Sequence, residues 1–254
     1  MSYRRAGIEA LICLLFIAGA VPLYATFGYS YVNPNPPIQT EKNHAEILAD
    51  TYGGAFTADG HNFVGSGAST GITAIRVYDF DSITYNTTHI YTHEETDVDQ
   101  IWSDGVLTIT AYARYAAYNQ SFGWNGGGTG GQNYQELVNQ SDIGGPGHTF
   151  EITAGQEFLW GHQAQSRDWW ESDKKEWWSR DSENSWWGSE DHMVTYYMQG
   201  AGAGEAVWMI FIEDEKLCDS DKDYNDFVVE VRAVPEPTTI GLIGLGFLAL
   251  RRRR

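Results

Sequence analysis

Seven carboxylates fall within the 14 positions from Glu213 to Asp226, and this crowding is the strongest chemical signal in the sequence. Like charges held that close repel strongly unless cations sit among them. Asp219, Asp221 and Asp223 alternate in a D-x-D-x-D pattern, which sets successive carboxylates around a hard cation. Asn225 adds an amide oxygen, Asp226 and Glu213 add acids at the loop ends, and Glu230 stands at the twelfth position. This spacing predicts a Ca2+ loop with Glu213, Asp219, Asp221, Asp223, Asn225, Asp226 and Glu230 as ligands. It is only a partial EF-hand, because Tyr224 stands where a glycine makes the sharp turn and the flanks are strand-like. An affinity of about 10⁻⁴ to 10⁻³ M suffices for an extracellular module. The alternative chemistry is a glycosidase that pairs Glu213 or Asp214 with Asp221 or Asp226, about 5 to 10 Å apart across a cleft. Acids crowded into one loop fit metal ligation better than a separated acid and nucleophile.

Three tryptophan pairs form the second signal: Trp169-Trp170, Trp177-Trp178 and Trp186-Trp187, set in the charged, Ser-rich segment 167–192. Adjacent residues of a strand point to opposite faces, so one indole of each pair is exposed unless the segment is covered on both sides. Exposed indoles would stack on sugar rings, making these six residues candidate contacts for an extracellular polysaccharide; the bland alternative is an insertion folded onto the core. His192 beside Asp191 serves either a centre or a structural hydrogen bond. Glu94, Glu95, Asp97 and Asp99, next to His93, form either a second calcium site or a solvated loop. The run Gly126 to Gly131 lacks the Lys-Ser or Lys-Thr of a phosphate cradle and reads as a loop. Neither a Cys/His zinc spacing nor a Ser-His-Asp nucleophile motif is present.

The elements that must position these groups read as β. Ile72 to Phe80 and Val106 to Tyr118 alternate apolar and polar side chains, and Thr149–Thr153, Glu157–Gly161, Met193–Met198, Val207–Glu213 and Phe227–Ala233 are further candidate strands. Glycine-rich breaks at 123–131, 144–147 and 200–204 separate them. One short amphipathic helix is expected over Thr40 to Asp50, after the Pro-rich lead-in Asn33 to Pro37. Many short strands between glycine turns predict an all-β, sandwich or jelly-roll-like single domain over residues 26–234.

Both ends read as targeting segments. Residues 1–25 have a basic start, an apolar stretch Leu11 to Pro22 and small residues at candidate cleavage points, the pattern of a secretory signal peptide. Cys13 would leave with it, so Cys218 becomes the one mature cysteine and no internal disulfide forms. At the other end, Pro235-Glu236-Pro237 precedes the apolar stretch Thr238 to Leu250 and four arginines. Thirteen helical residues span about 20 Å of a hydrocarbon core about 30 Å thick, which suits a transient anchor. The arginines would stay cytoplasmic. Residues 235–254 resemble the PEP-CTERM sorting signal of Gram-negative bacteria, and the resemblance implies an exosortase-type processing enzyme as partner, export across the inner membrane and a surface or extracellular destination.

Asp191-His192-Met193-Val194, Ile210-Phe211-Ile212-Glu213-Asp214 and Ser220 to Val231 resemble a second family, the bacterial domain-of-unknown-function family 4114, over residues 150–234. Its members carry a Phe-Glu-Asp strand end, an Asp-x-Asp-Tyr-Asn-Asp loop and a closing apolar strand; here Ile212 replaces the usual Phe. The resemblance implies a secreted or surface domain and no established reaction.

Charge sharpens the picture. The whole chain carries 16 Lys plus Arg against 34 Asp plus Glu, and six of the basic residues lie in the two targeting ends. Residues 26–234 then hold 10 basic and 32 acidic residues, net −22, which excludes nucleic acid as a partner. The expected function is an exported calcium-binding β-sandwich interaction module of the cell surface or extracellular matrix, with the carbohydrate-active enzyme as the alternative.

Overall fold

Alternation along 106–113 produces one face of the longest strand, where Leu107, Ile109 and Ala111 are all buried. In the computed structural model the described residues are 34–37, 41–77, 83–84, 102–125, 133–166, 174–180, 183–184, 191–202 and 205–234. Outside them lie residues 1–25, where a signal peptide is expected, residues 235–254, the Trp169-Trp170 and Trp186-Trp187 pairs, His93 with the Glu94 to Asp99 cluster, and the Gly126 to Gly131 run. Among the described residues the chain runs α1 (His44–Tyr52), β1 (Ala55–Asp59), β2 (Asn62–Ser66), β3 (Thr73–Arg76), β4 (Ile83–Thr84), β5 (Trp102–Arg114), β6 (Asn119–Asn125) and β7 (Tyr134–Asn139). It continues as β8 (His148–Phe158), β9 (Trp160–Gln165), β10 (Lys174–Trp178), β11 (Met193–Gln199), β12 (Val207–Ile212) and β13 (Phe227–Val234).

The strands build two sheets, so the protein is all-β as the turn spacing predicts. The larger sheet has the order β1-β2-β3-β11-β12-β13-β5-β4, with β8 also paired to β5, and the smaller has the order β10-β9-β6-β7. Pairing is antiparallel except for β4, which runs parallel to β5. One core lies between the sheets. Trp102 sits between Trp160 and Trp208, with ring centroids 5.6 and 5.3 Å away in edge-on contacts. Burying one such indole removes about 150–250 Å² from water, on the order of 4–6 kcal/mol.

A second core lies on the opposite face of the larger sheet. Ile47 and Leu48 of α1 pack there with Phe56, Val194, Tyr196, Met209, Phe211 and Val228. All six residues of β12 are consequently buried, which explains its unbroken apolar run Val207 to Ile212. The helix begins later than its apolar pattern indicates. The Asn43 side chain accepts from Glu46 N and the Glu46 carboxylate accepts from Asn43 N, a reciprocal cap worth about 1 kcal/mol that sets the start.

Two further differences have local causes. The hairpin β1–β2, which alternation does not signal, turns through Gly60-His61 with Gly60 at φ 63°. Gly123, expected in a loop, lies inside β6, where a Cβ would sit 2.0 Å from the Gln135 carbonyl oxygen. Glycine here allows two strands to approach at a bulge.

Candidate metal centre

Strands β12 and β13 pair with Ile212 opposite Phe227, so residues 213–226 form the connection between two buried strand ends. The chain leaves β12 through Glu213 and Asp214, and Asp226 returns beside them. Asp214 N donates to Asp226 Oδ2 at 2.9 Å. Carboxylate oxygens of Glu213, Asp214 and Asp226 all lie within 4.8 Å of one another. Two oxygens on one calcium ion, each about 2.3–2.6 Å away, stand at most about 4.6–5.2 Å apart, so the group has the span of a single ion. Glu213 and Asp214 are 1% and 2% exposed. Glu213 Oε2 is buried and makes no hydrogen bond.

The smaller sheet holds this triad in place. Gln120 on β6 donates through Nε2 to Asp214 Oδ2, and its Oε1 faces His162 Nε2 on β9. Since a glutamine oxygen only accepts, that contact makes Nε2 the protonated nitrogen of a neutral His162. The Trp177 indole donates to the Asp214 carbonyl at 3.0 Å and stacks on His192 at 3.7 Å. His192 Nδ1 meets the Glu213 carbonyl at 3.1 Å, a structural role for this histidine. Burial first, then the neighbouring acids, pushes the Glu213 carboxyl up to about 10 and that of Asp214 to about 8; Asp226 is also raised, mainly by burial. The metal-free triad therefore holds protons that a cation would displace.

The rest of the loop forms a second group with a residue from the far end of the chain. Carboxylate oxygens of Glu41, Asp221 and Asp223 also lie within 4.8 Å of one another. Lys222 and Tyr224 adopt left-handed φ values of 63° and 54°, bending the loop between the alternating ligands. Tyr224 thus makes a sharp turn without being glycine. The conformation costs about 1–2 kcal/mol, offset by complete burial of the ring and a 2.9 Å hydrogen bond from its hydroxyl to the Asp191 carbonyl.

The single seven-ligand loop expected from spacing is accordingly not what forms. Asp219 is exposed in a turn, with its N bonded to the Lys216 carbonyl, and joins neither group. Glu230 points into the sheet, where Arg232 binds it through Nε and a second nitrogen and the Tyr52 hydroxyl donates at 2.6 Å. Its carboxylate is already neutralised. Asp221 stands with Glu41 and Asp223 rather than across a cleft from Glu213 and Asp214, and Asp226 is in hydrogen-bond contact with that pair. The glycosidase arrangement gains no support from this geometry. Trp177 and Trp178 are 0% and 2% exposed, because the segment is covered on both faces; neither offers a stacking platform. Glu41, Gln120 and His162 are the residues that spacing could not find, since each meets the loop only through the fold.

This is a β-sandwich with a carboxylate-lined connection at one end of its core. Residues 233–254 match the PEP-CTERM protein-sorting motif, so the chain carries the sorting tail of an exported protein processed on the exosortase route. The tail implies membrane-anchored sorting through the C-terminus. No curated protein and no solved structure matches the chain. No helix among the described residues is long and apolar enough to cross a membrane.

Proposed function

We propose that the protein is an exported calcium-binding interaction module of the cell surface or extracellular matrix, delivered by its sorting tail. The observation that carries the calcium reading is the triad of buried Glu213 and Asp214 with partly buried Asp226, and an orphaned oxygen on Glu213. Clustered carboxylates are costly in a protein interior even with the half-buried Lys175 acting on Asp214, and an all-oxygen donor set of this span suits a hard dication. Bound calcium would hold the ends of β12 and β13 together and order the connection between them. The likeness of residues 150–234 to the domain-of-unknown-function family 4114 agrees with an exported domain of this kind.

Thermal melting of the full-length chain in calcium and in chelator tests the reading. At 100 times its Kd, calcium stabilises by about 2.7 kcal/mol, or roughly 5–10 °C for a body of this size. Identical melting curves in the two conditions would remove the calcium claim. Delivery is tested separately by Glu236→Ala in the exporting cell: the expected product keeps its C-terminal tail, read by intact mass.

A further inference from the structure

We propose that the outer face of the smaller sheet is a binding cleft for an uncharged polysaccharide, contacted by Asn119, Ser121, Asn139, Gln163 and Gln165. This names a partner for the interaction module and rests on that reading only for the place where the polymer is met; it uses none of the triad's carboxylates. Phe122 and Trp160 enter the core, and alternation then turns Ser121 and Gln163 to the outer face. Ser121 pairs with Gln163 on β9 and with Asn139 on β7, while Gln163 pairs with Glu176 on β10. A second row places Asn119 opposite Gln165, and Gln165 opposite Lys174. At about 4.8 Å per strand, the first row spans about 14 Å over four strands, longer than one sugar ring. Residues of both rows line a cleft of about 250 Å³. Six of its nine lining residues are Asn or Gln, and one acid, Glu136, offsets one base, Lys174. A neutral cleft on a body of net −22 selects neither a cation nor an anion.

The hydrogen bonds say which ligand atoms fit. Gln163 is 6% exposed and donates from Nε2 to Glu176 Oε2 at 2.6 Å, and among the described residues its Oε1 accepts no bond. Asn119 Oδ1 accepts from Gln140 Nε2 at 2.9 Å, which leaves the Asn119 N–H groups to donate. Asn139 Nδ2 gives one of its two N–H groups to Glu136 Oε1 at 2.8 Å, and Ser121 Oγ accepts from the Tyr134 hydroxyl at 2.9 Å, which leaves its own O–H. The internal bonds thus fix these side chains, and the cleft presents donors and acceptors side by side at low cost in conformational entropy. A sugar hydroxyl both donates and accepts, so vicinal hydroxyls match both kinds of group. Tyr134 supplies an apolar surface beside them. Gly161 makes room for this ring, since a Cβ there would sit 2.9 Å from it, and the exposed Lys174 stands over it with Nζ 5.7 Å from the centroid. A lysine on a flexible four-carbon stem yields that ring face to the C–H face of a sugar.

The test titrates cellohexaose, maltohexaose and mannohexaose, each separately, into the full-length chain and follows backbone and side-chain amide resonances by NMR, with a galacturonate hexamer as the charged comparison. At least one neutral hexasaccharide should saturate with a Kd of about 10⁻⁴ to 10⁻³ M and shift resonances of β6, β7 and β9. Asn119→Ala and Gln165→Ala, both at exposed positions, should each weaken binding about tenfold and leave the melting temperature unchanged. Lys174→Ala should keep the affinity within about threefold, because the ligand carries no charge for it to meet. Absence of binding by all three neutral probes overturns the inference, as do shifts confined to other strands or unchanged affinity in both amide variants. Preference for the galacturonate hexamer, or loss of binding in Lys174→Ala, overturns the uncharged class. Saccharide binding without a calcium-dependent melting shift removes the calcium reading alone, and a calcium shift without saccharide binding removes this inference alone.

Discussion

Glu213→Gln should stabilise the metal-free protein and abolish its main response to calcium, a crossing of signs that an ordinary structural acid does not produce. Burial and the neighbouring Asp226 and Asp214 push the Glu213 carboxyl up to about 10, far above its value in an unfolded chain. A folded-state pKa above the unfolded one means that the fold binds the proton more tightly. From these groups, metal-free stability is then greatest below about pH 4 and declines as pH rises toward the raised value. At pH 7 the unfolded chain gains by releasing a proton that the fold retains, at about 1.4 kcal/mol per pH unit above pH 4.5, on the order of 3 kcal/mol. Glutamine has the same shape and no proton to retain. In chelator at pH 7 the variant should therefore melt higher, by about 1–3 kcal/mol or up to roughly 10 °C. In millimolar calcium the wild type should recover that difference, because the ion stabilises the charged triad, while the variant should respond only weakly. The measurement is differential scanning calorimetry of both proteins at pH 6, 7 and 8, with and without calcium. A variant that melts lower than wild type in chelator and keeps the full calcium shift would refute the reasoning.

Three further outcomes follow from buried groups around the sheets. Burial lowers His44 and His162 to about 3 and His192 to about 4, so each is neutral in the fold and charged in the unfolded chain below pH 6.5. Their contribution is complete above pH 6.5 and is lost on acidification toward the folded values, about 2 kcal/mol each at pH 5, opposite in sign to that of the raised acids; in urea titrations the stability of the wild type relative to His44→Gln should fall by about that much between pH 7 and pH 5, and an unchanged difference would contradict it. Trp177→Phe removes the indole hydrogen bond to the Asp214 carbonyl and part of the stack on His192, and should cost about 1–3 kcal/mol and weaken calcium binding, read by titration. Gly123→Ala places a methyl 2.0 Å from the Gln135 carbonyl oxygen, so β6 and β7 must separate; denaturant melts should show a loss of about 2 kcal/mol or more, and wild-type stability would count against the close approach.

Much of the fold is legible because strands announce themselves locally. The alternation of Leu107, Ile109 and Ala111 and the apolar run Val207 to Ile212 each place a strand, and the Pro-Glu-Pro tail is recognisable from contiguous residues. Other elements lack such a signal. The segment Asn119 to Asn125 is polar and contains Gly123, yet it becomes a central strand of the smaller sheet because β7 and β9 pair on both its sides. The two buried tryptophans of β10 are likewise decided by partners: adjacent side chains must face opposite ways, and only the fold shows that both faces are covered.

The sequence alone determined that an acidic connection joins two apolar strands, because like charges in a short span and period-two alternation are both local properties. It could not determine which acids share a site. Spacing assigns Asp219 and Glu230 to one ring of ligands, but Glu230 is claimed by Arg232 and Tyr52 across the sheet and Asp219 turns to solvent. Only the tertiary structure divides the loop into Glu213, Asp214 and Asp226 on one side and Glu41, Asp221 and Asp223 on the other. The physical reason is that ligation depends on oxygen atoms within a few ångströms in space. Left-handed turns at Lys222 and Tyr224, and a lead-in whose Lys42 meets an Asn225 183 residues away, set those distances.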